Sequence, residues 1–388
     1  MTEKLFYEDS HMMTFSAIVT ACEKVGDYYE AVLNRTAFFP EGGGQYADTG
    51  MLGEAVVSDV QEKKDVIYHK IDRPLSVGQE VIGEIDWEER FSKMQQHSGE
   101  HIVSGLIHAA FGYDNVGFHM GTDAITMDFN GMLTKEQLKE IEYKANEAVA
   151  RNLEILVTYP SKEALQQMEY RSKIEIEGQV RIVTIPGFDV CACCAPHVKK
   201  TGEIGMIKLV GLQNYKGGVR VSMLCGFRAL ADYNEKAEQV KKISVLLSAK
   251  ENEVFEEVEK LKSEIAVQKN KVFELERKLL QYKVKELPRE EMVIVFETEL
   301  SGNAPREMMN LILQKDEVKV AAIFAGNDEE GYRYVIGSRV KDTREIVKHL
   351  NQAFPGRGGG KPEMVQGQVC GPEMAIREVL KGCATLED

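Results

Sequence analysis

The chain of 388 residues is 43% hydrophobic and 28% charged, long enough for two or three compact domains, and its formal charge of −14 argues against nonspecific adhesion to nucleic acid or anionic membranes. No apolar run reaches the ~18 residues of a membrane helix, and the start MTEKLFYEDSHMM lacks the basic flank and apolar core of a secretory signal, so a cytoplasmic location is expected. The cysteine count of 7 is odd, and Cys191, Cys193 and Cys194 crowd too closely for a disulfide scaffold, which favours metal binding in a reducing compartment.

Residues 1–90 alternate short apolar segments with turn-formers, as in FSAIVTACEKVGDYYEAVLNRTAFF, GMLGEAVVSDVQEKKDVIYHKI and VGQEVIGEID, a pattern read as a small β-barrel or sandwich. After Asp86 the period becomes helical, with Met94, His97, His101 and Leu106 recurring on one face. Residues 91–230 mix strand-like runs (AITMDF, EILVTY, RIVTI, IGMIKLV) with the helix KEQLKEIEYKANEAVARN, which predicts an α/β domain. Residues 231–288 form a charged helical run free of Gly and Pro until Pro288. A heptad frame there aligns Val254, Leu261, Gln268, Leu275 and Tyr282 with Val258, Ile265, Val272 and Leu279, all apolar or aromatic except Gln268. A coiled coil is predicted, and a helix folded back on its own chain fits the same seam. Residues 289–388 read as a compact α/β unit with strands in EMVIVFETEL, VKVAAIFAG and YRYVIGS and a loop at PGRGGGKPEMVQGQ. The fold class is therefore α+β and multidomain.

His97 and His101 lie one turn apart in QQHSGEH, so both reach one ion from one helical face. Cys193 and His197 repeat that spacing in CACCAPH. Together they offer Zn²⁺ three imidazoles and a thiolate. Four such ligands either saturate the ion or exchange one, and Cys191 or Cys194 could substitute for Cys193. HSGEH also matches the H-x-x-E-H signature of inverted metallopeptidases, a reading that leaves the Cys193–His197 pair idle. Glu100, one residue before a ligand, is either a general base or a solvated helix carboxylate. Farther upstream, Gly42, Gly43 and Gly44 in RTAFFPEGGGQYADTG permit close backbone approach and supply N–H donors. Downstream, Lys199, Lys200, Lys208, Lys216, Arg220 and Arg228 face only Glu203 within residues 199–228, a local basic stretch.

The ordered set R-T-x-F-x-P-x-G-G-G-Q-x-x-D-x-G, H-x3-H and C-x3-H resembles the editing half of alanyl-tRNA synthetases and their free-standing relatives, the AlaX alanyl-tRNA editing proteins. The likeness continues through TGEIGMIKL, VRVSMLCG and the helical run to GRGGGKPEMVQGQ, which looks like the glycine-rich loop of a DHHA1-type domain. It departs at Cys194-Ala195-Pro196, where synthetases commonly show Gly-Gly-Thr, and at Glu100, where a neutral residue is expected.

The resemblance implies a long-form editing protein that hydrolyses mischarged tRNA(Ala) in trans, with Ser-tRNA(Ala) the main target and Gly-tRNA(Ala) a second candidate, and with zinc held by His97, His101, Cys193 and His197. Thr36 and Gln45 would contact the amino acid. Lys199, Lys200 and Arg220 would face acceptor-stem phosphates, Arg357 and Lys361 would hold further phosphates, and the helical run with the C-terminal domain would form a homodimer. Amino-acid activation is not expected, because the chain starts at the barrel, and no Asp-His-His triplet suggests a phosphoesterase. Nucleotide and ATP binding come with the synthetase likeness as a further expectation. The competing functions are a zinc metallopeptidase and a non-catalytic tRNA-binding protein.

Overall fold

The structure, a computed structural model, describes residues 2–172 and 178–384. Its contacts group into two units, Met1–Lys242 and Ile243–Asp388.

The first unit opens with β1 (Thr14–Val25), β2 (Tyr28–Leu33), β3 (Gly50–Leu52), β4 (Ala55–Lys63), β5 (Val66–Ile71) and β6 (Glu80–Ile85), which close into an antiparallel barrel in the order β1-β2-β5-β4-β3-β6. Alternation produces its interior: in β6, Val81 and Ile85 are buried while Glu80, Ile82 and Glu84 face solvent. Phe38, Leu33, Leu52, Val57 and Ile67 fill the centre. Helix α1 (Trp87–Phe111) follows directly, capped where the Asp86 side chain accepts a bond from the Glu89 N–H and ended by Gly112 at φ 69°.

The rest of this unit contains β7 (Asn115–Met120), β8 (Ile125–Phe129), α2 (Lys135–Arg151), β9 (Leu156–Thr158), β10 (Ile182–Ile185), β11 (Asp189–Ala192), β12 (Ile207–Tyr215), β13 (Gly218–Cys225) and most of α3 (Gly226–Leu247), whose residues from Ile243 onward belong to the second unit. A four-stranded sheet runs β12-β13-β8-β7 and a three-stranded one β9-β10-β11. Thr134 and Gln137 form a capping box at the start of α2. Ile102, Val103 and Ile107 of α1 join Ile141 and Ala145 of α2, and Met127, Val221 and Met223 of the sheet, in one core.

In the second unit α4 (Val254–Glu286) precedes β14 (Met292–Glu297), α5 (Ala304–Ile312), β15 (Val320–Asn327), β16 (Gly331–Ser338), α6 (Thr343–Ala353), β17 (Gly356–Lys361), β18 (Met364–Val369) and α7 (Glu373–Ala384). The sheet order is β14-β15-β16-β18-β17, parallel only between β14 and β15. Period-two alternation splits β15 between two cores. Ala321 and Ile323 pack with α5 and with Leu280 and Val284 of α4, whereas Ala322 and Phe324 pack with α6 and α7.

Two expectations change here. The segment Gly356–Lys361 is an edge strand rather than a loop, with Gly358 opposite Gly367 in register. A side chain at either glycine would strike the buried Tyr334 hydroxyl, so close packing rather than flexibility explains these two glycines. The helical run expected over 231–288 is broken after Leu247, where Ser248 takes a φ of 53°, and resumes at Val254 as α4, whose heptad residues lie on an exposed face: Leu261 is 42% and Leu279 57% accessible. Among the described residues no helix is long and apolar enough to cross a membrane.

The barrel segment is locked to α1 by Arg90, which is fully buried. Its guanidinium pairs with Asp48 and donates to the Ala37 carbonyl at 2.6 Å and the Ser10 carbonyl at 3.1 Å, while Asp48 accepts the Phe39 N–H at 2.6 Å. Asp48→Ala strands this cation in the interior and is expected to lower the stability of the unit by about 3–5 kcal/mol. Urea unfolding followed by fluorescence of Trp87, the single tryptophan of the chain, measures it. A loss below ~1 kcal/mol would show that the pair is not the lock.

Candidate metal centre

Helix α1 presents His97 and His101 from adjacent turns, and the loop after β11 brings Cys193 and His197 against them. Ring centroids lie 5.6 Å apart for His97–His101, 5.0 Å for His97–His197 and 4.6 Å for His101–His197. Cys193 Sγ is 3.5 Å from His97 Nε2 and 3.4 Å from His197 Nε2. Bonds of roughly 2.0–2.3 Å to a tetrahedral zinc put neighbouring donors about 3.3–3.8 Å apart. Those two separations match the edges of such a tetrahedron, and one donor atom from each of the four residues lies within 4.8 Å of all the others. The donor set therefore fits zinc.

Each imidazole is also held from behind. His97 Nδ1 bonds Gln45 Oε1 at 3.1 Å, His101 Nδ1 bonds Asp189 Oδ2 at 2.8 Å, and His197 Nδ1 bonds Ser98 Oγ at 3.0 Å. With the three Nδ1 atoms engaged outward, the Nε2 lone pairs converge toward the sulfur. Burial pushes His197 down to about 3, which keeps it neutral. Burial opposes ionisation of Cys193, but the three imidazoles around it, with the bonds from His101 and His197, outweigh that and hold the thiol well below its usual range. Burial would likewise lower His101, yet Asp189 and Cys193 raise it well above the ordinary imidazole value.

Asp189 and Ser98 were not singled out from the sequence. Neither was Arg171, which clamps Asp189 through Nε at 2.7 Å and Nη2 at 2.9 Å. Gly105 makes this possible, because any side chain there would collide with the Phe188 carbonyl and come within 3.0 Å of Asp189 Oδ1. The one visible signal was an acid four residues before Cys193. Arg181 steadies the ligand loop, donating from Nη1 to the Cys193 carbonyl at 2.8 Å and the Ala195 carbonyl at 3.0 Å.

The glycine segment lies beside this centre. Gly42 and Gln45 exchange both backbone bonds around Gly43 and Gly44 at φ 60° and 80°, a tight turn that demands glycine. A side chain at Gly44 would also come within 2.7 Å of the Phe118 ring, whose centroid is 5.0 Å from that of His97. Gln45 is thus a partner of a candidate ligand, and its Nε2 is buried without a hydrogen-bond partner among the described residues. Thr36 lies inside the barrel. His69 donates from Nδ1 to the Ala31 carbonyl and is kept neutral by burial, so its Nε2 accepts the Thr36 hydroxyl at 2.9 Å, while Thr36 Oγ1 accepts the Phe38 N–H. One Oγ1 lone pair remains.

Glu100 is buried and not a solvated carboxylate. Its Oε1 accepts bonds from Ser104 at 2.7 Å and Asn115 at 2.6 Å, and its Oε2 is 3.9 Å from His101 Nε2. The Cys193–His197 pair completes the cluster where an inverted metallopeptidase would need a further carboxylate, which weakens that reading. Buried Cys191 lies beside His101 and Asp189, and burial pushes its thiol up. The Cys194 sulfur rests against Gly42 and Gly43.

Outside the centre half of the six cations of the basic stretch are ion-paired. Arg220 pairs bidentately with its cross-strand neighbour Asp128 at 2.6 and 2.7 Å, Lys199 with Asp9 at 2.8 Å and Lys208 with Glu142 at 2.6 Å. Lys200 is exposed. In the second unit Arg357 lines a polar cavity of about 600 Å³ with Arg333, Tyr334, Gln366 and Gln368, and Lys361 is exposed at the end of β17.

Three segments of the chain match known families. Residues 2–89 match the class II (A) tRNA synthetase family, residues 180–222 the threonyl and alanyl tRNA synthetase second additional domain, and residues 289–383 the DHHA1 domain. The chain is 32% identical over 387 residues to an alanine–tRNA ligase of Pyrococcus abyssi, covering 95% of this chain and 42% of that one. It is 34% identical over 261 residues to the alanine–tRNA ligase of Ignicoccus hospitalis, covering 64% of this chain and 28% of the ligase. It is 26% identical over 388 residues to the alanyl-tRNA editing protein AlaX-L of Pyrococcus horikoshii, covering 95% of each. The chain thus spans less than half of those ligases and nearly all of the editing protein. It is related to the long-form AlaX editing proteins, with editing and DHHA1-type domains like those of alanyl-tRNA synthetases.

Asp189→Asn keeps the size of the side chain but removes the charge behind His101. Zinc affinity is expected to fall about 10–100-fold, measured by competition with a chromogenic chelator. Unchanged affinity would show that Asp189 does not position the ligand.

Proposed function

We propose that this relative of the AlaX proteins hydrolyses, in trans, the ester joining a wrong amino acid to tRNA(Ala), with serine the main target and glycine the second. The observation that carries the reading is the convergence of His97, His101 and His197 on Cys193, with Gln45 of the glycine turn bonded directly to His97. Such an activity meets a physical need. A pocket shaped for alanine separates it from glycine or serine by only a few kcal/mol, so a second, hydrolytic sieve is required.

In this reading His97, His101, Cys193 and His197 hold zinc, which when bound supplies Lewis acidity toward the ester carbonyl or water. The residues of the chain do the rest. Gln45 orients His97 through Oε1 and offers its unpartnered Nε2 to the aminoacyl group. The exposed Gly42–Gly44 turn lets the terminal nucleotide approach the backbone. Glu100, steadied by Ser104 and Asn115, takes the proton from the attacking water. Thr36 accepts the serine hydroxyl on its remaining lone pair, a contact alanine cannot make.

For tRNA, Lys200, Arg357 and Lys361, which have no ion pair among the described residues, contact phosphates, whereas Lys199 and Arg220 must first exchange Asp9 and Asp128. In terms of the chain, residues 1–90 and 91–230 carry the hydrolysis, and residues 231–288 with 289–388 carry tRNA binding and a homodimer contact. Ester hydrolysis needs no nucleotide, so ATP binding forms no part of the reaction. The reaction belongs in the cytoplasm, where translation supplies the substrate.

Deacylation of Ser-, Gly- and Ala-tRNA(Ala), with metal content measured on the same sample, tests the proposal. The rates are expected to fall in that order, and chelator-sensitive peptide cleavage without deacylation would overturn it. Replacing both His97 and His101 by Ala is expected to cut seryl-tRNA(Ala) deacylation at least ~10²-fold and to abolish zinc retention. Wild-type rates in that variant would end the metal role. Thr36→Val is expected to narrow the serine-over-alanine preference about tenfold. An unchanged preference would remove Thr36 from the substrate site.

A further inference from the structure

A hydrolase that acts in trans meets every aminoacyl-tRNA that translation makes, so it needs an upper limit on the acyl group as well as a contact for the serine hydroxyl. Strand β7 is placed to set that limit. It is the edge of its four-stranded sheet and turns Asn115, Phe118 and Met120 inward while Val116 and His119 face out. Asn115 bonds Glu100 and Phe118 meets His97, so the strand crosses the face of α1 that carries the candidate ligands and base.

Phe118 touches both sides of the space that the deacylase reading gives the aminoacyl group. On one side its ring centroid lies 5.0 Å from that of His97, with the planes tilted by 52°, a ring-to-ring contact that leaves no room for a further heavy atom between them. On the other side it presses on the glycine turn, where a Cβ at Gly44 would come within 2.7 Å of the ring and 3.1 Å of the Phe118 carbonyl. The next residue of that turn is Gln45, whose buried Nε2 has no partner among the described residues while its Oε1 holds His97. The ring has little freedom to retreat. Its cross-strand neighbour Met127 is fully buried, and both belong to the core beneath α1, where close packing resists displacement.

An acyl group bonded to Gln45 Nε2 and lying over His97 therefore runs along this ring. Glycine, alanine and serine carry no more than a single heavy atom beyond Cα and Cβ, and pass. Threonine and valine carry a second branch at Cβ, which collides with it. We propose that Phe118 sets the upper size limit of the aminoacyl pocket and excludes acyl groups branched at Cβ. The proposal rests on the deacylase reading and adds the residue that bounds its substrate class.

Phe118→Leu in the full-length chain tests it, because leucine keeps the position apolar and much of its volume while removing the ring. Deacylation is measured on tRNA(Ala) charged with serine or with threonine, and zinc content is measured on each sample. The threonine-to-serine ratio of kcat/KM is expected to rise at least ~10-fold with zinc retained. The same shift is expected in the binding of non-hydrolysable seryl- and threonyl-adenosine amides. Phe118→Trp is expected to act the other way, lowering the rate on serine relative to glycine. An unchanged threonine-to-serine ratio in Phe118→Leu, whether the rates hold or fall together, would overturn the role of Phe118 alone. A wild-type chain that leaves Ser-tRNA(Ala) intact would overturn the deacylase reading and this proposal with it.

Discussion

A helix buried along most of its length cannot leave polar side chains unsatisfied, and that constraint organises the first unit. Between Arg90 and Ser104, α1 buries Arg90, Lys93, Gln95, Gln96, His97, Ser98, Glu100, His101 and Ser104. Each finds at least one partner elsewhere or nearby on the helix, and of their side-chain atoms only Gln95 Oε1 is buried without one among the described residues. Arg90 and Lys93 reach Asp48 and the Ala47 carbonyl in the barrel segment. Gln96 spans the Cys225 backbone with both amide atoms, and Gln95 bonds the Glu203 carbonyl. His97, Ser98 and His101 take Gln45, His197 and Asp189. The helix is therefore a hub whose spokes fix the barrel, the ligand loop and the sheets in one geometry.

That geometry explains why the donors can be aimed before any ion arrives. An imidazole free to rotate would lose entropy on ligation, whereas one held at Nδ1 has already lost it during folding. Asp189 illustrates the coupling. It is 2% exposed, accepts from His101 and is gripped by Arg171, so the carboxylate has no alternative partner and stays ionised. The cost of burying these charges falls on folding, and the gain is precision at the site.

The ligand pairs were legible in the sequence because an i, i+4 spacing is a local statement about one helix or loop. The start of α1 was legible through the change of period after Asp86. What escaped notice depends on contacts between distant segments. Arg220 looked like a free cation because Asp128 lies 92 residues earlier in the chain, and only the strand register sets them opposite. Gln45 and Thr36 were read as substrate contacts, yet their bonds run to His97 and His69. Glycine at 356 and 358–360 suggested a loop by propensity, but packing over Tyr334 and pairing with β18 override propensity. No spacing rule foretells Arg171, which reaches its partner through an isolated bridge to the Cys191 strand.

The glycine-rich strand β17 has one more effect, on solubility. It occupies the open edge of the five-stranded sheet, where unpaired backbone groups would ordinarily recruit a strand from another molecule. Here that edge is built of Gly356, Gly358, Gly359 and Gly360, with Arg357 and Lys361 as its side chains, all exposed. It offers an incoming strand no apolar surface to cover, only bare backbone and positive charge. The sheet is thereby insulated against runaway edge-to-edge growth.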